Sequence, residues 1–147
     1  MQHVIIYTDG GASPNPGLGG WGAVLISEQH NFTREISGAE PDTTNNRMEL
    51  TAAIKALESL KFSCEVDLYT DSGYLSNAFN NGWLDKWQKN NWNKGKVLNI
   101  DLWQKLLNLT QIHKINWHWI KGHGNNKFNN RCDELVNEAR ENYKLNS

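Results

Sequence analysis

Four carboxylates stand in short, chemically suggestive contexts. They are Asp9 in Tyr-Thr-Asp-Gly-Gly, Glu49 in Thr-Thr-Asn-Asn-Arg-Met-Glu-Leu, Asp71 in Tyr-Thr-Asp-Ser-Gly, and Asp133 in Asn-Arg-Cys-Asp-Glu-Leu. Hard oxygen ligands of this kind suit Mg2+, which takes carboxylates together with waters and substrate oxygens. Two such cations about 3.5–4 Å apart can clamp the attacking and leaving oxygens of a phosphodiester. Acids this distant in sequence can meet only through a fold, and strand ends and helix starts are a rigid way to bring them together. Each acid is expected at such an edge. Each also has an ordinary local reading. Asp9-Gly10 is a turn dipeptide, and Asn46 with Glu49 has capping-box spacing. Asp71 can cap a helix, and Asp133 in a first turn would complement the helix dipole.

The elements that must position these acids follow from apolar periodicity. Val4-Ile5-Ile6-Tyr7 is a β-prone run of the kind found in a central strand. Ala12 to Gly20, rich in Gly and Pro, reads as a loop. Trp21 to Ile26 and Asn31 to Ile36 read as strands around a turn near Glu28–His30. Leu50, Ala53, Ile54, Leu57 and Leu60 give helical spacing over Asn46 to Leu60. A strand over Glu65 to Tyr69 precedes short helices over Ser72 to Phe79 and Trp83 to Trp87, the first ended by Gly82. Asn99 is placed to cap a helix carrying Leu102, Trp103, Leu106 and Leu107. Lys114 to Trp119 reads as a strand, and a Gly-rich loop around His123 leads to a last helix with Cys132, Leu135, Val136, Ala139 and Tyr143 on one face. This order predicts an α/β fold with a mixed sheet and helices on its faces.

The chain has 147 residues, the size of one domain, so residues 1–147 are expected to share a single core. No apolar run approaches the roughly 20 residues of a spanning helix, and no basic leader precedes Val4. Cys64 and Cys132 form no metal-type pair. Reduced thiols and a cytoplasmic location are expected. The net charge of −1 is not the basic footprint usual for nucleic-acid proteins. Charge is distributed unevenly, however: Lys86, Lys89, Lys94 and Lys96 face one acid, Asp85, between Trp83 and Lys96. Three tryptophans, Trp83, Trp87 and Trp92, interleave with those lysines. The combination suits aromatic stacking with phosphate neutralisation, and equally a helix with one core face. Trp21, Trp103, Trp117 and Trp119 are expected in or near the core.

Taken in order, these contexts resemble type 1 ribonuclease H (bacterial ribonuclease HI-like) from Asp9 to the helix after Asp133. The resemblance implies a five-stranded sheet, the first three strands antiparallel and the others parallel to the first, with helices on both faces. It implies an endonuclease that hydrolyses the RNA strand of RNA–DNA hybrids, leaving 5′-phosphate and 3′-hydroxyl ends. Two Mg2+ ions per active site, replaceable by Mn2+, are implied, with Asp9 shared, Glu49 and Asp71 on one ion and Asp133 on the other. His123 matches the family's loop histidine, implicated in proton transfer or product release. Asn15, Asn45 and Asn46 match residues that reach sugars and base edges in the minor groove, where 2′-hydroxyls distinguish RNA from DNA. Thr44 and Asn99 match a pocket for a DNA-strand phosphate. The segment carrying Trp83, Lys86, Trp87 and Lys89 matches the basic handle that grips the DNA strand.

A hybrid duplex is the partner this likeness implies; a monomer is expected, and the absence of long apolar runs predicts no membrane partner. Three departures stand out: Gly73 where Gln is common, Asp42 where a basic residue is frequent, and Gly124-Asn125 where Ala-Gly usually follows the histidine. The first two imply a weaker grip on substrate. Two rival readings are a DNA-cutting nuclease of the same fold and a non-catalytic hybrid-binding module. Asn15, Asn45 and Asn46 speak against the first. The full set of four acids speaks against the second, because clustered negative charge does nothing for simple phosphate binding.

Overall fold

Pairing with the next strand carries the first strand well past Tyr7, out to Ala12 opposite Gly19. In the computed structural model, which describes residues 1–146, β1 runs Gln2–Ala12. β2 (Gly17–Ser27) and β3 (Phe32–Thr43) continue it as an antiparallel meander. The expected loop over Ala12–Gly20 shrinks to residues 13–16. Gly17, Gly19 and Gly20 lie in β2 because Thr43, Glu40 and Ala39 of β3 pair with them, and ladder context overrides glycine's weak strand preference.

Helix α1 (Asn45–Glu58) then crosses to β4 (Cys64–Thr70), parallel to β1. Three short helices follow: α2 (Gly73–Asn80), α3 (Trp83–Lys89) and α4 (Asn91–Gly95). The last of these is a left-handed turn, with φ of 56° at Asn91, 57° at Trp92, 50° at Asn93 and 56° at Lys94. Helix α5 (Ile100–Ile112), strand β5 (Lys114–Trp119) parallel to β4, and helix α6 (Lys127–Leu145) complete the chain. The sheet order is β3-β2-β1-β4-β5. This is the expected mixed five-stranded sheet, antiparallel through β3-β2-β1 and parallel through β1-β4-β5.

Helices cover both faces. On one, α1 and α5 bury Ile6, Leu50, Leu57, Leu68, Trp103 and Leu106. Trp103 is wholly buried, and trimming such a ring to alanine typically costs about 3–5 kcal/mol. On the other, α6 lies over β2 and packs Cys132 and Leu135 against Val24. Among the described residues no helix is long and apolar enough to cross a membrane.

Several local expectations are corrected. Thr44 caps α1, its hydroxyl accepting from the Arg47 amide at 3.1 Å, so Asn46 and Glu49 form no capping box. Ser72 rather than Asp71 caps α2, and Asn126 caps α6, which places Asp133 well beyond the first turn. Asn99 does open α5, but its backbone is left-handed at φ 64° and its side chain makes no cap bond. Trp119 is 57% exposed and lies outside the core.

Candidate active site

Asp9 is not at a strand end. It lies within β1, paired to Gly22 of β2. On the β4 side, however, the parallel ladder stops at Thr8 and Thr70, and Asp71 is the next residue of that chain. The two strands therefore bring Asp9 and Asp71 to the same level of the sheet, just where their backbones part.

Close approach of two helices supplies the other acids. Gly10 follows Asp9, and a Cβ there would stand 2.6 Å from the Glu49 amide and collide with the Met48 carbonyl. The missing side chain lets α1 ride against β1 and brings Glu49 to Asp9. At Gly22, opposite Asp9, a Cβ would lie 2.7 Å from the Cβ of Leu135 and 3.1 Å from the Cys132 carbonyl, so α6 also descends on the sheet. The Cys132 thiol donates to the Tyr7 carbonyl at 3.3 Å, which pins α6 one residue before Asp133. Burial, reinforced by Asp9, pushes that thiol far above its ordinary range, so it stays protonated.

Asp9, Glu49 and Asp71 each offer a carboxylate oxygen within 4.8 Å of the others. Asp133 lies outside that tight group but lines the same cleft of about 510 Å³ and acts electrostatically on Asp9. Burial first, then the charge of Asp71, raises Asp9 to about 7, although the Gly10 amide donates to its Oδ1 at 2.9 Å. Burial, then Asp9 and Asp71, push Glu49 well above the carboxylate range. Glu49 Oε1 is buried without a hydrogen-bond partner. Buried like charges and an orphaned carboxylate oxygen are costly unless a cation compensates them. The donor set is all hard oxygen, which fits a divalent cation of the Mg2+ class.

The remaining residues singled out from sequence divide into two groups. His123, Asn45 and Asn46 line the cleft with the acids, and His123 is exposed there with φ 56°. Asn15 stands one bond back, its Oδ1 accepting from the Asn45 amide at 3.1 Å, while Asn45 Oδ1 accepts from Ala12 N at 2.7 Å. Thr44 and Asn99 converge on Arg47: Thr44 through its cap bond, Asn99 by accepting from Nη1 at 3.2 Å. Trp83, Lys86, Trp87 and Lys89 lie on α3, away from the cleft lining. Trp87 turns inward against Trp103 at 5.7 Å between ring centroids, Trp83 is at the exposed border, and Lys89 is 3.5 Å from Asp85. The handle thus has two rings packed against the core, Trp87 and Trp92, and an outward lysine face.

Two residues carry more than their sequence contexts signalled. Arg47 holds Asp101 through paired bonds of 3.1 and 2.9 Å, which ties α1 to α5 beside Asn99. Its position in the Asn-Asn-Arg-Met-Glu motif was the available signal. Trp119 donates its Nε1–H to the Asp71 carbonyl at 3.1 Å, a contact no local pattern announces.

The RNase H family model matches residues 1–141. The chain belongs to the RNase H family. A ribonuclease H from Chlorobium chlorochromatii is 58% identical over 141 residues, covering 94% of this chain and 95% of that protein. One from Acetivibrio thermocellus is 57% identical with the same coverage. Among solved structures, LC11-RNase H1 in complex with an RNA/DNA hybrid is 31% identical, with a TM-score of 0.72 over 95% of this chain and 98% of that one. LC9-RNase H1, described as a type 1 RNase H with the type 2 active-site motif, gives a TM-score of 0.86 at 26% identity, over 97% of this chain and 74% of its own. The open cleft above the acids is thus the part of an RNase H domain to which chemistry must be assigned.

Proposed function

We propose that this RNase H hydrolyses the RNA strand of RNA–DNA hybrids, with Asp9, Glu49, Asp71 and Asp133 holding two divalent cations, Mg2+ or Mn2+. The observation that carries this reading is the meeting of three carboxylate oxygens within 4.8 Å at the base of an open cleft that Asp133 also lines. When bound, such cations would neutralise charge on the attacked phosphate and lower the pKa of a nearby water, chemistry that would leave 5′-phosphate and 3′-hydroxyl ends. The protein's own part is positional. Asp9, which feels both Glu49 and Asp133, would be the shared ligand, and the β1–β4 junction holds it beside Asp71.

His123, exposed at the cleft, carries a proton to or from the reacting oxygens. Asn45 and Asn46 line the cleft and Asn15 braces Asn45, an arrangement suited to minor-groove edges and 2′-hydroxyls. Thr44 and Asn99, gathered around Arg47, take a phosphate of the DNA strand. Trp83, Lys86 and Lys89 meet that strand farther along, with Trp87 anchoring their helix to the core beneath instead of touching the strand itself. The enzyme works as a monomer. Two free, buried thiols are in keeping with a reducing cytoplasm.

The deciding experiment is a cleavage assay on labelled RNA–DNA hybrid, double-stranded RNA and double-stranded DNA, with Mg2+ and with EDTA. Only the RNA of the hybrid should be cut, and only with the cation. Asp9→Asn should abolish cleavage while keeping the fold and hybrid binding. Equal cutting of DNA, or wild-type turnover by Asp9→Asn, would overturn the reading.

A further inference from the structure

We propose that the segment from Trp119 to Gly122 is a clasp that sets the Asp71 carboxylate, with Trp119 and Gly122 as positioning residues; this rests on Asp71 being a metal ligand. Asp71 lies where support runs out. It is one residue past β4, beyond the last β1–β4 pair, and Ser72 has taken the cap of α2. Three contacts from a single neighbouring segment replace what is lost. Ile120 N donates to the Thr70 carbonyl at 2.9 Å and extends the β5 side of the ladder by one bond. Trp119 Nε1 donates to the Asp71 carbonyl at 3.1 Å, which fixes the peptide that carries the ligand. Gly122 lies over the carboxylate itself: a Cβ there would stand 2.6 Å from Asp71 Oδ2 and 3.3 Å from its Cγ.

The reason for glycine at 122 is room. The positive-φ glycines are Gly82 and Gly95, so the backbone at Gly122 is open to any L residue. The three atoms nearest to a side chain there all belong to Asp71. A methyl group would turn the carboxylate away from Asp9 and Glu49 without touching the core. Trp119 supports the same reading from its exposure: at 57% accessible on an edge strand, burial does not hold its ring, whereas its N–H has a defined partner. His123 is the next residue, so the clasp also links the proposed proton carrier to the ligand it must work beside.

The test uses the full chain and measures Mn2+ binding without substrate by calorimetry, alongside melting in EDTA. Gly122→Ala should weaken Mn2+ binding by about tenfold, in the range typical of residues that orient metal ligands. Its EDTA melting curve should stay close to wild type. Trp119→Phe, which keeps a ring and removes only the donor, should weaken binding in the same direction. In both variants cleavage should recover at raised Mn2+. Asp71→Asn is the reference, and adding Gly122→Ala to it should cause no further loss. Wild-type Mn2+ affinity in folded Gly122→Ala and Trp119→Phe, with Asp71→Asn impaired, overturns the clasp alone. Wild-type affinity in Asp71→Asn overturns the ligand assignment and the clasp with it. Should Gly122→Ala not fold, Trp119→Phe decides alone, since it adds no atom beside Asp71.

Discussion

Glu49 is buried against Asp9, and both carboxyls resist ionisation. Burial comes first for each; after it, Asp71 acts most strongly on Asp9, and Asp9 on Glu49. The fold is therefore strained electrostatically at this cluster of acids.

That strain has a sign. Asp9 ionises at about 7 in the fold against an ordinary value of 3.8. Between those values the folded protein keeps a proton that the unfolded chain has lost. Its contribution to stability is thus present at pH 4, falls as pH rises toward 7, and is level above that. In EDTA at pH 8, Asp9→Asn should be more stable than wild type by roughly 1–3 kcal/mol, with the gap closing near pH 4. Added Mg2+ should reverse the order, because the proposed cation site needs the Asp9 carboxylate. Melting curves across pH measure this, and a gap that does not change with pH would refute the electrostatic cause.

His123→Ala should lower kcat by about ten- to a hundredfold and leave residual cleavage, since water can partly replace a proton carrier. Single-turnover cleavage of hybrid is the measurement. A loss as complete as that of Asp9→Asn would make His123 essential and the secondary role wrong.

Lys86, Lys89, Lys94 and Lys96 are all exposed. Replacing the four with Gln should raise KM more than it lowers kcat and flatten the salt dependence of binding. Each lost phosphate contact takes about 0.9 from the slope of log K against log salt. Metal dependence and choice of strand should not change. Hybrid affinity across a salt series tests this, and identical slopes would show lysines that merely face solvent.

Lys94 sits at φ 56° in the left-handed turn of α4. An L side chain costs about 1–2 kcal/mol in that conformation, and glycine escapes most of it. Lys94→Gly should therefore stabilise the protein by about 1 kcal/mol in chemical denaturation, after glycine's extra freedom in the unfolded chain is subtracted. A destabilised variant would mean that the lysine stem packs in a way that outweighs the backbone.

The fold was legible where periodicity is strong. β4 and α1 lie within a residue or two of their sequence bounds, because a buried face enforces spacing. The limits of β1 and β2 were hidden by Gly10, Gly17, Gly19 and Gly20, which read as loop but serve close packing or a ladder. The caps were misplaced by one or two positions because Thr, Asn, Asp and Ser are crowded together at each helix start. The four acids could be named from their contexts, whereas their convergence depends on Gly10 and Gly22, whose role is visible only once α1 and α6 are packed. Trp119 illustrates the limit: its partner is a backbone carbonyl just past the end of β4, and side-chain patterns carry no trace of it.

The parallel pairing of β1 with β4 has a kinetic corollary. Asp9 and Asp71 become neighbours only when strands separated by β2, β3 and α1 have zipped together, a contact of high sequence separation. Such closures come late, because the chain entropy they cost precedes the contacts that reward it. A refolding chain will acquire the β1–β2–β3 hairpins before it can hold a divalent ion. The rate at which Mn2+ becomes bound should therefore lag behind the burst of secondary structure and report the arrival of β4.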